Sequence, residues 1–152
     1  TGGSNHFVYT ESGDDVIYIE KNAGDSMTVV SGEGNDTINV SAGNKHLIWA
    51  SYAKDAEGNE YILKGNNTIS LTNTNENTII TGDGADKLVI NNADLIEADL
   101  GSGKDEIVMA NTNGKKSNGV LSKIHGGAWG DTFTVKDGVQ NYQLYGDAGN
   151  DV

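Results

Sequence analysis

Short apolar bursts alternate with polar residues along the whole 152-residue chain. Ile17 and Ile19, Ile38 and Val40, Ile69 and Leu71, Leu88 and Ile90, Ile107 and Met109, and Phe133 and Val135 each stand two positions apart. Side chains two apart on an extended backbone share a face, so each pair predicts a half-buried strand. Nine residues before Ile17, Ile38, Leu88, Ile107 and Phe133 lie Val8, Val29, Ile79, Ala98 and Ile124, again in strand-like stretches. A turn rich in Gly and Asp separates the members of each nine-residue pair. The spacing alone leaves two arrangements open: antiparallel hairpins, or parallel strands stacked on a repeating coil.

The turns themselves repeat. Ser31-Gly32-Glu33-Gly34-Asn35-Asp36-Thr37-Ile38 aligns without a gap on Thr81-Gly82-Asp83-Gly84-Ala85-Asp86-Lys87-Leu88. Leu100 to Ile107 is a third copy, Gly126 to Phe133 a fourth, and Gly146 to Asp151 the start of a fifth. Thr10 to Ile17 and Ile62 to Ile69 are degenerate copies, the latter with Asn67 where the others have Asp. A fixed period of this kind points to stacked repeats. These segments resemble the calcium-binding nonapeptide repeats of the RTX (hemolysin-type) family, G-G-x-G-x-D-x-U-x with U a large apolar residue. The resemblance covers most of the chain and implies a parallel β-roll, each nonapeptide giving a six-residue turn and a short strand. The expectation is therefore an all-β chain, a parallel β-solenoid of about seven coils forming one domain over residues 1–152.

The Asp side of each coil keeps its length, whereas the opposite side varies from 9 to 17 residues between ladder positions. One break falls on the Asp side, where Leu47 to Ile69 spans 22 residues. The excess, Trp49 to about Lys64, reads as a hairpin turning at Asp55–Glu60. It is expected to interrupt the Asp edge. The polar stretch Asn111–Asn118 reads as a long loop.

Parallel stacking aligns Asp15, Asp36, Asn67, Asp86, Asp105, Asp131 and Asp151 along one edge, at a strand spacing of ~4.8 Å. Carboxylates in such a row repel one another and oppose the fold unless a counter-ion joins them. Calcium suits the donors, because it accepts many oxygens, backbone carbonyls included, in flexible geometry; magnesium demands a stricter octahedron. The resemblance implies an ion between same-side turns of successive coils, held by Asp carboxylates and turn carbonyls. Carried over, the best pairs are Asp86 with Asp105, Asp105 with Asp131, and Asp131 with Asp151, with Asp15 and Asp36 a poorer pair. Gly82, Gly84, Gly101, Gly103, Gly127, Gly146 and Gly149 occupy motif glycine positions. Asn67 removes a charge, so metal is expected to be weak or absent beside it. Trp129 replaces a motif glycine and should bend its turn differently. The opposite turns lack the signature. The competing account of the row is turn capping, with Asp and Asn bonding only to backbone.

Composition narrows the function. The net charge is −12 and all ten cations are Lys. Such a chain is a poor ligand for nucleic acid or an anionic membrane surface. No apolar run approaches the roughly 18 residues of a membrane span. There is no Cys for a disulfide or a thiolate site, and no Pro, while 21 Gly and 18 Asn suit tight turns. The chain begins at Thr1 and stops within a turn motif, and reads as a segment of a longer protein. His6, His46 and His125 are isolated, read as surface residues, and no H-E-x-x-H or G-x-S-x-G motif accompanies them, so the segment is not expected to be an enzyme. Trp49, Tyr52 and Tyr61 are expected to cover the flank of the fold; a carbohydrate-stacking patch is the other reading.

By resemblance, the segment is a calcium-binding structural module of a large secreted or cell-surface bacterial protein. Such proteins leave the cell unfolded by a one-step (type I) route and fold where calcium is plentiful. The parent's own activity, whether toxin, adhesin, protease, lipase or surface layer, is left open. Two rivals remain at this point. One is a carbohydrate-binding or polysaccharide-modifying β-helix module; the other is a metal-free adhesin stalk held by Asn and Thr ladders.

Overall fold

A computed structural model describes residues 4–21 and 23–152. The chain passes alternately through two sheets. Strands β1 (Phe7–Tyr9), β3 (Thr28–Gly32), β5 (Leu47–Ala50), β9 (Thr78–Ile80), β11 (Glu97–Asp99), β13 (Ser122–Ala128) and β15 (Tyr142–Ala148) form one sheet in that spatial order. Strands β2 (Val16–Ile19), β4 (Thr37–Val40), β8 (Thr68–Thr72), β10 (Lys87–Asn91), β12 (Glu106–Ala110) and β14 (Thr132–Val135) form the second. Every pairing within these two sheets is parallel, which removes the hairpin arrangement.

The register follows the nine-residue pairs. Val8, Val29, Ile48, Ile79, Ala98, Ile124 and Leu144 lie in line in the first sheet. Ile17, Ile38, Ile69, Leu88, Ile107 and Phe133 lie in line in the second. The second residue of each pair continues inward, from Ile19 through Val40, Leu71, Ile90 and Met109. Both ladders point into one continuous core. A one-residue slip would turn each strand's apolar face to water, so the alternation holds the register. The core thins toward the C-terminal strands, where Val135 and Leu144 are exposed.

Both excursions differ from their expected bounds. Trp49 belongs to β5, and the hairpin proper is β6 (Tyr52–Lys54) paired antiparallel with β7 (Glu60–Ile62). Asp55 holds its turn by accepting from the Glu57 and Asn59 backbones and the Asn59 side chain. Tyr52 is buried, edge-on to Trp49 with ring centroids 5.5 Å apart. Tyr61 instead donates its hydroxyl to Asp55 at 2.9 Å. The first two rings therefore cover the flank, and the three form no open stacking face. In the second excursion, Asn111 and Thr112 are still hydrogen-bonded to the Asp137 and Gly138 carbonyls, so the regular path continues to Asn113. The loop runs instead from Lys115 to Leu121, which face each other across an antiparallel bridge.

Candidate metal-binding site

One edge is built of near-identical turns. In each, the third residue pairs with its counterparts in the neighbouring turns: Ser12 with Glu33, Lys64 with Asp83, Asp83 with Ser102, and Ser102 with Ala128. The fourth residue donates to the third residue of the next turn, as in Gly65 N–H to Asp83 O at 2.9 Å and Gly84 N–H to Ser102 O at 2.8 Å. The sixth residue closes the ladder through its side chain. Asp15 N–H donates to Asp36 Oδ1, Asp36 N–H to Asn67 Oδ1, and Asn67 N–H to Asp86 Oδ1, at 2.6–3.1 Å. Asp86 N–H donates to Asp105 Oδ1, Asp105 N–H to Asp131 Oδ1, and Asp131 N–H to Asp151 Oδ1, at 2.7–2.9 Å. All six Asp of the anticipated row thus stand in one line, with Asn67 among them.

The turn-capping account explains only half of each carboxylate. One oxygen caps the neighbouring turn. The other, Oδ2, is buried without a partner at Asp15, Asp36, Asp86, Asp105 and Asp131. The row also lies deeper than an acidic edge in solvent, with Asp36, Asp86, Asp105 and Asp131 almost fully buried. Burial disfavours the charged carboxylate. It pushes Asp105 up to about 7, with the neighbouring Asp86 and Asp131 charges adding to the rise. Burial also raises Asp86 and Asp131; the Asn67 N–H and the Thr81 and Asn67 side chains work against the first shift, although the Thr81 hydroxyl's hydrogen is spent on Leu100 O, and the Asp105 N–H bond works against the second.

Close packing of the turns demands the motif glycines. A Cβ on Gly84 would fall 2.0 Å from Gly65 O, and one on Gly103 1.6 Å from Gly84 O, at φ values of 154° and 155°. Only glycine accepts both that conformation and that approach. Gly82, Gly101 and Gly127 form a parallel column, each missing Cβ within 2.3 Å of a carbonyl of the turn before. Gly82 O and Gly101 O accept N–H groups of the next turn. Gly149 lies against Trp129 O in the same manner. Gly146 acts differently. Its missing Cβ would sit 2.3 Å from Asp151 Oδ2, so the glycine makes room for the carboxylate. Gly126, not among the anticipated site residues, does the same for Asp131 at 2.4 Å. Its place at the head of the Gly126-Gly127 pair was the available signal. Trp129 does bend its turn differently, with φ of 91° against 155° at Gly103.

Two expectations are corrected at Asn67. The hairpin does not interrupt the edge. It is inserted between Ser51 and Leu63, whose N–H closes the gap onto Ser51 O at 2.8 Å, and the turn then proceeds as in its neighbours. Ser51 rather than Ile62 is therefore the first residue of this turn, and Ile62 is exposed on the hairpin. A motif search along contiguous sequence cannot find Ser51, because eleven residues separate it from Leu63. The Asn67 side chain occupies the place of the neighbouring carboxylates, and its Nδ2 donates to Ser51 Oγ at 3.1 Å, Gly65 O at 3.1 Å and Asp86 Oδ1 at 3.0 Å. The surroundings of this position are therefore oxygen acceptors, and in the Asp turns an acceptor faces them.

The opposite edge is filled differently. His46 is buried rather than on the surface; its Nδ1 accepts Met27 N–H at 3.2 Å, and its Nε2 lies 3.0 Å from Ala42 O. Nε2 therefore carries the proton. Asp25, Asn44, Asn75, Asp94 and Asn113 form an exposed ladder, each Oδ1 of the first four accepting the backbone N–H of the next residue in the row.

Among the described residues, no three His, Asp or Glu side chains converge to hold a metal unaided. An ion on the Asp edge would need backbone carbonyls beside two carboxylates, a donor set that calcium accepts. The orphaned Oδ2 atoms and the acceptor surroundings marked out by the Asn67 amide fit that requirement. Asp15 and Asp36, and Asp86, Asp105, Asp131 and Asp151 with the carbonyls of their turns, are the residues that would hold it. No family model, curated protein or solved structure matches the chain.

Proposed function

We propose that this chain is a calcium-binding structural module, a parallel β-solenoid of about seven coils belonging to a larger secreted or cell-surface bacterial protein of the RTX type. The observation that carries the reading is the line of five buried Oδ2 atoms without partners. Each desolvated carboxylate needs either a proton or a cation, and near neutral pH a divalent cation satisfies two at once. Bound calcium supplies positive charge and accepts oxygens from both carboxylates and carbonyls. The chain's own part is to hold Oδ1 on the preceding turn's N–H, keep Oδ2 free, and exclude water from it.

The consequence is folding coupled to calcium. A ligand that binds only the folded state stabilises it by mass action, and extracellular calcium modules bind at about 10⁻⁴–10⁻³ M. A module exported unfolded through a type I route would then fold on reaching calcium outside the cell. Circular dichroism during a calcium titration tests this. Millimolar calcium should increase β-structure and raise the melting temperature, a chelator should reverse both, and magnesium should be a weak substitute. Identical spectra and melting temperatures in calcium and chelator would refute the reading.

A further inference from the structure

The Asp edge carries one position where the ion's electrostatic work is already done by the chain. At Asn67 the buried side chain has an NH2 group where its neighbours have an orphaned oxygen. Its Nδ2 donates to Ser51 Oγ, Gly65 O and Asp86 Oδ1, so one amide joins two acceptors of its own turn to the carboxylate of the next. Its Oδ1 meanwhile accepts Asp36 N–H at 3.1 Å. Every polar atom of this side chain is used, and none awaits a metal.

The same levels are satisfied on the opposite edge. His46 N–H donates to Asn77 Oδ1 at 2.9 Å, and Asn77 Nδ2 donates to Thr74 Oγ1 at 2.9 Å. The His46 ring bonds both Met27 N–H and Ala42 O. Strands β5, β8 and β9 at these levels also carry the fully buried Ile48, Ile69, Leu71 and Ile79. Beyond them, toward the C-terminus, come three turns in succession with orphaned carboxylate oxygens, at Asp86, Asp105 and Asp131.

We infer that the Asn67 side-chain amide stands in for a cation, so that the middle of the fold holds its structure without metal and divides the Asp row into an N-terminal pair and a C-terminal run. Stacked repeats behave as neighbouring units whose local stabilities differ. The central levels form a metal-independent platform. The C-terminal run, Asp86 to Asp151, adds to it when calcium arrives. The inference rests on the calcium reading above and specifies which part of the edge responds to the ion.

Amide hydrogen exchange, read by mass spectrometry in calcium and in chelator, tests it on the whole chain. In chelator, β5, β8 and β9 should exchange at least about tenfold more slowly than β12, β14 and β15, and calcium should slow the latter group. Uniform exchange along the chain in chelator, with uniform slowing by calcium, would overturn the platform and leave the calcium reading intact. Exchange unaffected by calcium anywhere would overturn both. Asn67→Asp should abolish the central protection in chelator and restore it in calcium, with more calcium bound per chain; unchanged protection in chelator would refute the role of the amide. Asp86→Asn covers the case in which that variant does not fold. It puts an amide beside Thr81 and Gly84, the counterparts of Ser51 and Gly65, and should extend chelator-resistant protection to β10. A protected region unchanged by Asp86→Asn would also overturn the inference.

Discussion

In chelator, the protein should be more stable at pH 5 than at pH 8, and Asp105 should be the largest identifiable cause. Its carboxyl is almost fully buried, with Oδ1 on the Asp105-to-Asp86 rung and Oδ2 without a partner. Burial raises it from an ordinary 3.8 to about 7. A carboxyl raised on folding stabilises the folded state below the unfolded value near 4, and that contribution is lost as pH climbs through the folded value. At about 1.4 kcal/mol per pH unit, the full loss is roughly 4 kcal/mol, of which roughly 2–3 kcal/mol falls between pH 5 and pH 8. That is a large part of the ~5–15 kcal/mol that holds an ordinary domain folded. Asp86 and Asp131, both raised, push in the same direction. The assay is urea denaturation in chelator at both pH values, on the parent and on Asp105→Asn. The variant keeps the Oδ1 rung and loses the charge, so its pH 8 stability should rise toward its pH 5 value and the difference between the two should shrink by most of 2–3 kcal/mol. Calcium should reverse the ranking, with Asp105→Asn needing more calcium than the parent at pH 8. A metal-free parent that is equally stable or more stable at pH 8, or a variant with the same pH dependence, would refute the argument that the buried charge opposes folding.

Three other outcomes follow from the same geometry. Gly103→Ala places a Cβ 1.6 Å from Gly84 O at a φ of 155°, whereas Gly58→Ala on the hairpin meets only a φ of 85° in open space; melts in saturating calcium should show the first costing more than about 2 kcal/mol and the second about 1 kcal/mol. Shortening the Lys115–Leu121 loop should leave the calcium midpoint unchanged, because loop-closure entropy varies slowly with length, while inserting two residues between Gly82 and Asp86 should displace Asp86 from Asp105 and raise the midpoint severalfold; equal tolerance in the calcium titration would refute a binding role for that edge. Replacing Tyr52–Ile62 by two glycines between Ser51 and Leu63 should preserve the Asp row but uncover Trp49 and Val30, lowering stability by about 2 kcal/mol with little change in the calcium midpoint, as read by melting and titration.

The strand positions and their parallel register were legible in the sequence. Val8, Val29, Ile79, Ala98 and Ile124 each precede a partner by nine residues, and burial of an alternating face leaves little freedom once the turns superimpose. The line of Asp15, Asp36, Asn67, Asp86, Asp105, Asp131 and Asp151 followed from the same register. What each carboxylate does did not follow, because one letter stands for two oxygens. Only the stacked backbones decided that Oδ1 would cap the preceding turn and Oδ2 would be enclosed without a partner, and burial then set their charge cost. The path through Asn67 was equally hidden. Spacing along the chain counts the hairpin's residues, whereas the fold sees only the 2.8 Å closure from Leu63 to Ser51 that makes the insertion invisible to the row. His46 read as an isolated surface residue for a related reason: Met27, 19 residues away, meets its ring only when neighbouring turns are stacked, and Ala42 O in its own turn then takes the other ring nitrogen. Local patterning determined which faces turn inward, and tertiary stacking determined which buried polar atoms met a donor and which were left needing one.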